Sequence, residues 1–246
     1  MIKILSICLA SLLFTSAVQA ELKLSSNLKT KVTKEVDISY LLYLPKDYEA
    51  DKKKKWPVMM FLHGAGERGD DIAKVKKHGP PKMIENGEKF PFIVVAPQCP
   101  KNQIWDNDNL LALLDHVLES HRTDDNCVYL TGLSMGGFGT FNFGLSHPER
   151  FAAIAPICGG GEWIQIYAAK GANPKALQNL GVWAFHGEKD GVVLPEQSKM
   201  MVAGLKKYGC KDVKLTLYPN AGHDAWTETY NNPELYDWFL SHSLEN

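Results

Sequence analysis

The feature that most restricts the fold of this 246-residue chain is a series of short apolar runs at regular intervals. They are Val58-Met59-Met60-Phe61-Leu62, Phe92-Ile93-Val94-Val95-Ala96, Val128-Tyr129-Leu130, Ala152-Ala153-Ile154-Ala155, Val182-Trp183-Ala184-Phe185 and Val213-Lys214-Leu215-Thr216-Leu217. A strand with one wet face alternates apolar and polar residues. Continuous apolar runs mark strands covered on both faces, as in a parallel sheet. Helix-like stretches lie between most of them. Leu110, Leu111, Leu114, Val117 and Leu118 share one helical face that closes near His121. Met200, Met201 and Leu205 repeat the pattern, as do Tyr236, Phe239 and Leu240. Upstream, Val36, Ile38, Tyr40, Leu42 and Leu44 alternate as a half-buried strand that Pro45 ends. The expected fold class is α/β, a mostly parallel central sheet with helices on both faces, entered through an antiparallel N-terminal hairpin. Residues 161–181 leave room for one helix carrying Trp163, Ile164 and Tyr167, too little for a large cap domain.

Residues 1–20 read as an export signal. Lys3 supplies a positive start, Ile4 to Phe14 an apolar run too short to span a bilayer, and Val18-Gln19-Ala20 a small-residue cleavage site. The expectation is an exported protein, periplasmic or secreted, whose residues 21–246 form a single domain without a membrane span. A formal net charge of −1 argues against a nucleic-acid or anionic-membrane partner. The basic run Lys52-Lys53-Lys54-Lys55 reads as a solvated loop between strands. Cys99, Cys127, Cys158 and Cys210 have no metal-ligand spacing, and four cysteines allow three full pairings, so the disulfide state stays open. Oligomeric state is not legible either.

Polar clusters follow the apolar runs. The strand Cys127-Val128-Tyr129-Leu130-Thr131 leads into Gly132-Leu133-Ser134-Met135-Gly136, and a helical stretch follows. A Gly-x-Ser-x-Gly set between strand and helix forms a turn so sharp that its serine stands exposed above the sheet. His63-Gly64-Ala65-Gly66-Glu67-Arg68-Gly69 follows the first run, His186-Gly187-Glu188-Lys189-Asp190 the fifth, and Asn220-Ala221-Gly222-His223-Asp224 the last. In open α/β sheets the loops at the carboxyl ends of the strands gather into one crevice.

Over essentially all of the chain after residue 20, this pattern resembles the α/β-hydrolase superfamily. Within it the chain looks like compact exported carboxylesterases: feruloyl and acetylxylan esterases, polyhydroxybutyrate depolymerases, and a predicted-peptidase or dienelactone-hydrolase-like group. Gly66-Glu67-Arg68-Gly69, Ala96-Pro97-Gln98-Cys99-Pro100 and Gly222-His223-Asp224-Ala225-Trp226 carry that likeness. The resemblance implies a catalytic triad of Ser134, His223 and Asp190, in the order nucleophile, acid, histidine along the chain. One departure is Leu194, where a proline is expected four residues after the acid; Pro195 follows. Asp212 and Asp224 are rival acids, the first placed before its strand and the second adjoining the histidine. His63 and His186 read as loop braces.

A serine hydroxyl is a poor nucleophile unless an imidazole takes its proton, and a carboxylate then holds the imidazole's tautomer. The developing oxyanion needs backbone donors. The Met135 amide is one, and Ala65 is the first choice for the second, with Gly66 as alternate. Glu67 and Arg68 read as an ion pair fixing that loop. Trp105, Trp163 and Trp226 fall on loops beyond three strands and offer flat faces to a substrate, although each also suits packing. The expected activity is a cofactor-free and metal-free serine esterase acting on a small-molecule or polysaccharide ester, with acetyl or feruloyl groups foremost. A peptidase of prolyl-oligopeptidase type and a non-catalytic binding protein on a hydrolase fold are the alternatives.

Overall fold

A computed structural model describes residues 27–244; the expected signal, residues 1–20, lies outside them. Residues 27–35 contain no helix or strand, and the folded unit begins at Val36. Seven strands form one sheet: β1 (Tyr40–Tyr43), β2 (Trp56–Leu62), β3 (Ile93–Pro97), β4 (Thr123–Leu133), β5 (Ala153–Ile157), β6 (Gly181–Gly187) and β7 (Val213–Tyr218). Their order is β1-β3-β2-β4-β5-β6-β7. All neighbours are parallel except β1 and β3. This is the α/β-hydrolase architecture.

The unbroken apolar runs have the physical meaning expected of them. In β2, Val58, Met60 and Leu62 enter one core while Met59 and Phe61 enter another across the sheet. In β4, Val128 and Leu130 point to the first core and Tyr129 and Leu133 to the second. The first core is closed by Leu110, Leu114 and Val117 of α2 (Asn107–Ser120), Phe141 of α3 (Met135–Ser146), and Met201 and Leu205 of α6 (Glu196–Lys207). The second is closed by Tyr230 of α7 (Trp226–Tyr230) and by Leu235, Trp238 and Phe239 of α8 (Pro233–Leu240). Each large side chain so buried contributes about 1.5–3 kcal/mol. Helix α2 starts where Asp106 accepts the Asn109 amide at 3.0 Å, satisfying one of the donors that a helix start leaves unpaired.

Two expectations are corrected. The alternating N-terminal segment does not form a hairpin with β2; β1 runs antiparallel to β3, with Tyr40 opposite Pro97, and the chain crosses back to lay down β2 inside. Alternation reported a half-buried strand and carried no information on its neighbour. Residues 161–181 hold two helices, α4 (Trp163–Ala172) and α5 (Pro174–Asn179). The break falls at Asn173, because Pro174 disfavours helical backbone in the residue before it and Asn173 caps the new helix through the Ala176 amide. The remaining helix, α1 (Gly79–Glu85), lies between β2 and β3.

The C-terminal residues are tied to β4. Leu244 N donates to Asn126 O at 2.8 Å, and the Tyr129 hydroxyl donates to His242 O at 2.9 Å. Asp212 receives the Trp238 indole N–H at 3.2 Å and faces His242 Nε2 at 2.9 Å. No helix among the described residues is long and apolar enough to cross a membrane.

Candidate active site

Ser134 stands between β4 and α3 with φ 53° and ψ −117°, a conformation that a non-glycine residue holds only when its surroundings enforce it. The enforcement is visible. Ser134 N donates to Ile157 O at 2.9 Å, and Ser134 O accepts Phe138 N at 3.0 Å. A Cβ on Gly136 would lie 1.9 Å from Leu62 O, so only glycine lets the start of α3 press against the end of β2. The sheet order reverses direction around β2 and β4, the place where open α/β sheets form a crevice. The loops after these two strands therefore meet at Ser134.

The acid and histidine loops are pressed together in a similar way. A Cβ on Gly187 would lie 2.1 Å from Gly222 O, and Lys189 N donates to Ala221 O at 3.0 Å. His223 Nε2 lies 2.9 Å from Ser134 Oγ, and His223 Nδ1 lies 2.7 Å from Asp190 Oδ2. The carboxylate is an acceptor, so Nδ1 carries the proton and Nε2 is left to accept from the serine hydroxyl. Asp190 Oδ1 accepts the amides of Val192 at 2.8 Å and Val193 at 3.0 Å. Burial pushes the Asp190 carboxyl upward, but the His223 hydrogen bond and the two amides outweigh it and hold the group below its ordinary range.

His186 backs this arrangement from the buried side. Its Nε2 donates to Val193 O at 2.9 Å and sits 3.2 Å from Asp190 Oδ2, while Nδ1 lies 2.8 Å from Ser198 Oγ on α6. Ser198 Oγ in turn donates to Gly159 O at 3.0 Å. His63 braces the other loop: Nε2 accepts Cys99 N at 3.0 Å, and Nδ1 lies 2.6 Å from Gly64 O. Burial pushes the His63 pKa down, which keeps the ring neutral and able to accept. The rival acids serve elsewhere. Asp224 Oδ1 accepts the amide and hydroxyl of Thr227 at 3.2 and 2.7 Å, and Asp212 belongs to the C-terminal cluster.

The amides of Ala65, Gly66 and Met135 make no hydrogen bond among the described residues. Ala65 opens a short 3-10 turn after β2, and Met135 opens α3, whose N-terminal dipole also favours negative charge. Glu67 and Arg68 do not pair with each other as expected. Arg68 donates to Ala65 O at 3.0 Å and Gln103 O at 3.1 Å, while Glu67 faces His78 at 3.8 Å and Lys77 at 3.9 Å.

A cavity of about 680 Å³ opens beside Ser134, lined by Ile104, Trp105, Met135 and Phe138 with Asn142 and Gln165 among its polar residues. Of the three tryptophans singled out in the sequence, Trp105 lines it; Trp163 and Trp226 do not. Trp163 packs on Tyr208 at 5.1 Å between ring centroids. The Trp226 ring stands edge-on to His223 at 5.1 Å and also meets His78 at 5.6 Å. The sequence offered no sign of this last role, nor of the part played by Ser198.

Among the described residues, Cys99, Cys127, Cys158 and Cys210 are free thiols. Burial pushes Cys99 up to about 11 and Cys158 and Cys210 up to about 12, so they are poor nucleophiles. Ligand atoms of Cys158, His186 and Asp190 lie within 4.8 Å of one another. That thiol resists ionisation and the other two groups are already hydrogen-bonded, a set ill suited to a metal ion.

The family described as "Putative esterase" matches residues 32–190, well over half of the chain. The chain belongs to this esterase family, serine hydrolases of carboxylic esters. The prolyl oligopeptidase family matches the esterase over residues 166–245. "Probable feruloyl esterase C" from Aspergillus niger is 27% identical over 199 residues, covering 77% of the esterase and 68% of that protein. The "Bifunctional acetylxylan esterase/xylanase XynS20E" of Neocallimastix patriciarum is 24% identical over 193 residues, 74% of the esterase and 26% of that much longer chain. Among solved structures, a thermostable esterase superposes with a TM-score of 0.68 at 34% identity, covering 85% of the esterase. The esterase spans 60% of that protein's length.

Proposed function

We propose that the protein is an exported esterase that cleaves acyl groups, acetyl or feruloyl, from polysaccharide, with Ser134, His223 and Asp190 as its catalytic triad. The observation that carries this reading is the unbroken hydrogen-bonded line from Ser134 Oγ through His223 to Asp190, at 2.9 and 2.7 Å. The names of the Aspergillus and Neocallimastix relatives supply the two acyl groups. Residues 21–246 act in this reading as a single catalytic domain once residues 1–20 are removed.

Each step follows from the donors and acceptors in place. Ser134 Oγ attacks the ester carbonyl carbon as His223 Nε2 takes its proton. The carbonyl π electrons move to oxygen, and the oxyanion meets the unpaired amides of Met135 and Ala65, or Gly66 in its place. Asp190 holds the imidazolium through Nδ1 without taking the proton. The tetrahedral centre collapses, His223 returns the proton to the alcohol oxygen, and the alcohol leaves. Water then attacks the acyl-Ser134 carbonyl, again losing its proton to His223, and the acid departs as Ser134 recovers its hydrogen.

The test is hydrolysis of p-nitrophenyl acetate, methyl ferulate, acetylated xylan and a proline-containing peptide amide by the mature protein beside Ser134→Ala. Ester turnover that falls by about 10⁶ in the variant is expected, with an inert amide. Turnover retained by Ser134→Ala would move the nucleophile elsewhere. The match to the prolyl oligopeptidase family over residues 166–245 favours a second reading, a serine peptidase, and cleavage of the amide alone would establish it. A chain that cleaves nothing and takes no fluorophosphonate on Ser134 would be a binding protein.

A further inference from the structure

Among the described residues the His223 ring has two hydrogen-bond partners, Asp190 at Nδ1 and Ser134 at Nε2. Two bonds on opposite flanks of a ring leave it free to tilt about the line between them, and 21% of this side chain is open to solvent. One of the two bonds is also temporary. Once Ser134 Oγ carries the acyl group it has no hydrogen to give, yet Nε2 must still point at the attacking water. From then until the acid leaves, Asp190 alone holds the ring by hydrogen bonding.

Trp226 supplies a contact that does not lapse. Its ring lies 5.1 Å from that of His223, with 86° between the planes. The helix that carries it, α7, is tied to β4, the strand that leads into Ser134. The Tyr230 hydroxyl donates to Thr131 Oγ1 at 3.1 Å, and Thr131 Oγ1 donates to Ala155 O at 2.7 Å. His78 adds a second ring contact to Trp226 at 5.6 Å. Burial pushes the His78 pKa down against the pull of Glu67 and Asp224, and Lys77 and Lys82 add to the fall, so the ring is neutral and packs as an aromatic. Its backbone is pinned by the next residue. Gly79 has φ 62°, and a Cβ there would lie 2.6 Å from Phe61, itself edge-on to Tyr230 at 5.7 Å.

The buried Trp226 indole N–H has no acceptor among the described residues. What Trp226 gives His223 is therefore ring contact and not a hydrogen bond. We propose that Trp226, backed by His78, is a positioning residue that keeps His223 aimed through the second half of the cycle, when Ser134 no longer holds it. This inference rests on the triad reading above. Its consequence is that deacylation depends on Trp226 more than acylation does, because during acylation the Ser134 hydrogen bond shares the task.

Stopped-flow hydrolysis of p-nitrophenyl acetate separates the two halves. The p-nitrophenol burst reports acylation, and the decay of acetyl-Ser134, followed by mass spectrometry of the intact protein, reports deacylation. In Trp226→Leu deacylation should slow roughly tenfold to 10²-fold, the scale of a misaimed reacting group, and acylation should slow less. Acetyl-enzyme then accumulates, so kcat and KM fall together and kcat/KM changes least. Trp226→Phe keeps an aromatic ring and forfeits no hydrogen bond, and should recover most of the deacylation rate. His78 hydrogen-bonds to neither Ser134 nor His223, and His78→Ala should slow deacylation several-fold; this variant carries the test if Trp226→Leu does not fold. An unaltered deacylation rate in Trp226→Leu or His78→Ala, equal slowing of the two halves, or a phenylalanine variant as slow as the leucine one would overturn the proposal. Failure of the triad reading looks different: the parent protein then forms no acetyl-Ser134 at all.

Discussion

The two halves of the active-site crevice are finished to different degrees. On one side Asp190 is buried and its oxygens meet His223 Nδ1, two backbone amides and, at 3.2 Å, His186. On the other side the amides of Ala65 and Met135 have no protein partner among the described residues, and a wide cavity opens beside Met135. The carboxylate is charged in every step of the proposed cycle, so its partners are in place from the start. In the same proposed cycle the amides would meet a charge that exists only while the tetrahedral centre lasts. Donors held in place beforehand need no reorganisation when that charge appears.

The contrast can be broken from the occupied side first. Asp190→Asn should lower kcat by roughly 10⁴, because an amide group no longer fixes the proton on His223 Nδ1. Steady-state kinetics checks this, and a deeper loss in Asp212→Asn or Asp224→Asn would transfer the role of acid. On the vacant side, Ala65→Pro deletes the amide while keeping a backbone allowed at a helix start, and should cost about 10²–10³ in kcat. Ala65→Ser keeps the amide and should stay within about twofold. If the proline variant is as active as the serine one, Gly66 or another donor faces the oxyanion.

His186 tests whether the occupied side depends on its backing. His186→Leu removes the donor to Val193 O and should cost about 10² in kcat with KM little changed, the scale of a small misplacement of the reacting groups. His186→Gln keeps a donor near Nε2 and should recover most of that loss; equal losses would show a packing role only.

The smallest effect is on acid stability. Asp190 is held below its ordinary range in the folded chain, so its charge favours the fold above the unfolded-state value near ~3.9. That contribution fades as pH falls through the lower folded value. Denaturant titrations below about pH 4 should therefore show a shallower pH dependence in Asp190→Asn than in the parent.

Much of this arrangement was legible because the local chain dictates it. Short unbroken apolar runs bounded by turn residues mark strands covered on both faces, and glycines at positions 132 and 136 permit a turn that a Cβ would block. The resemblance to the α/β-hydrolases, rather than the pattern alone, singles out Ser134, Asp190 and His223 at the strand ends. What stayed hidden depends on partners distant in the chain. Nothing near Tyr40 states that Pro97 will lie opposite, and nothing near His186 states that Ser198 will close its other nitrogen. Trp226 looked like a loop residue facing substrate; it begins a one-turn helix and its ring rests on His223 instead. That an aromatic side chain lies near His223 is evident in sequence, but the face it turns is set by packing.

The pairing of Leu244 with Asn126 and of His242 with Tyr129 has a practical consequence for handling the protein. The strand so clamped is the one that delivers Ser134, ending at Leu133. A fusion tag attached beyond Asn246 leaves this clamp in place. Trimming back to Leu240 removes it, and exposes the lower end of β4 to fraying at the far end of the same rod that presents Ser134. Activity loss on proteolytic shortening would then precede any damage to the crevice itself.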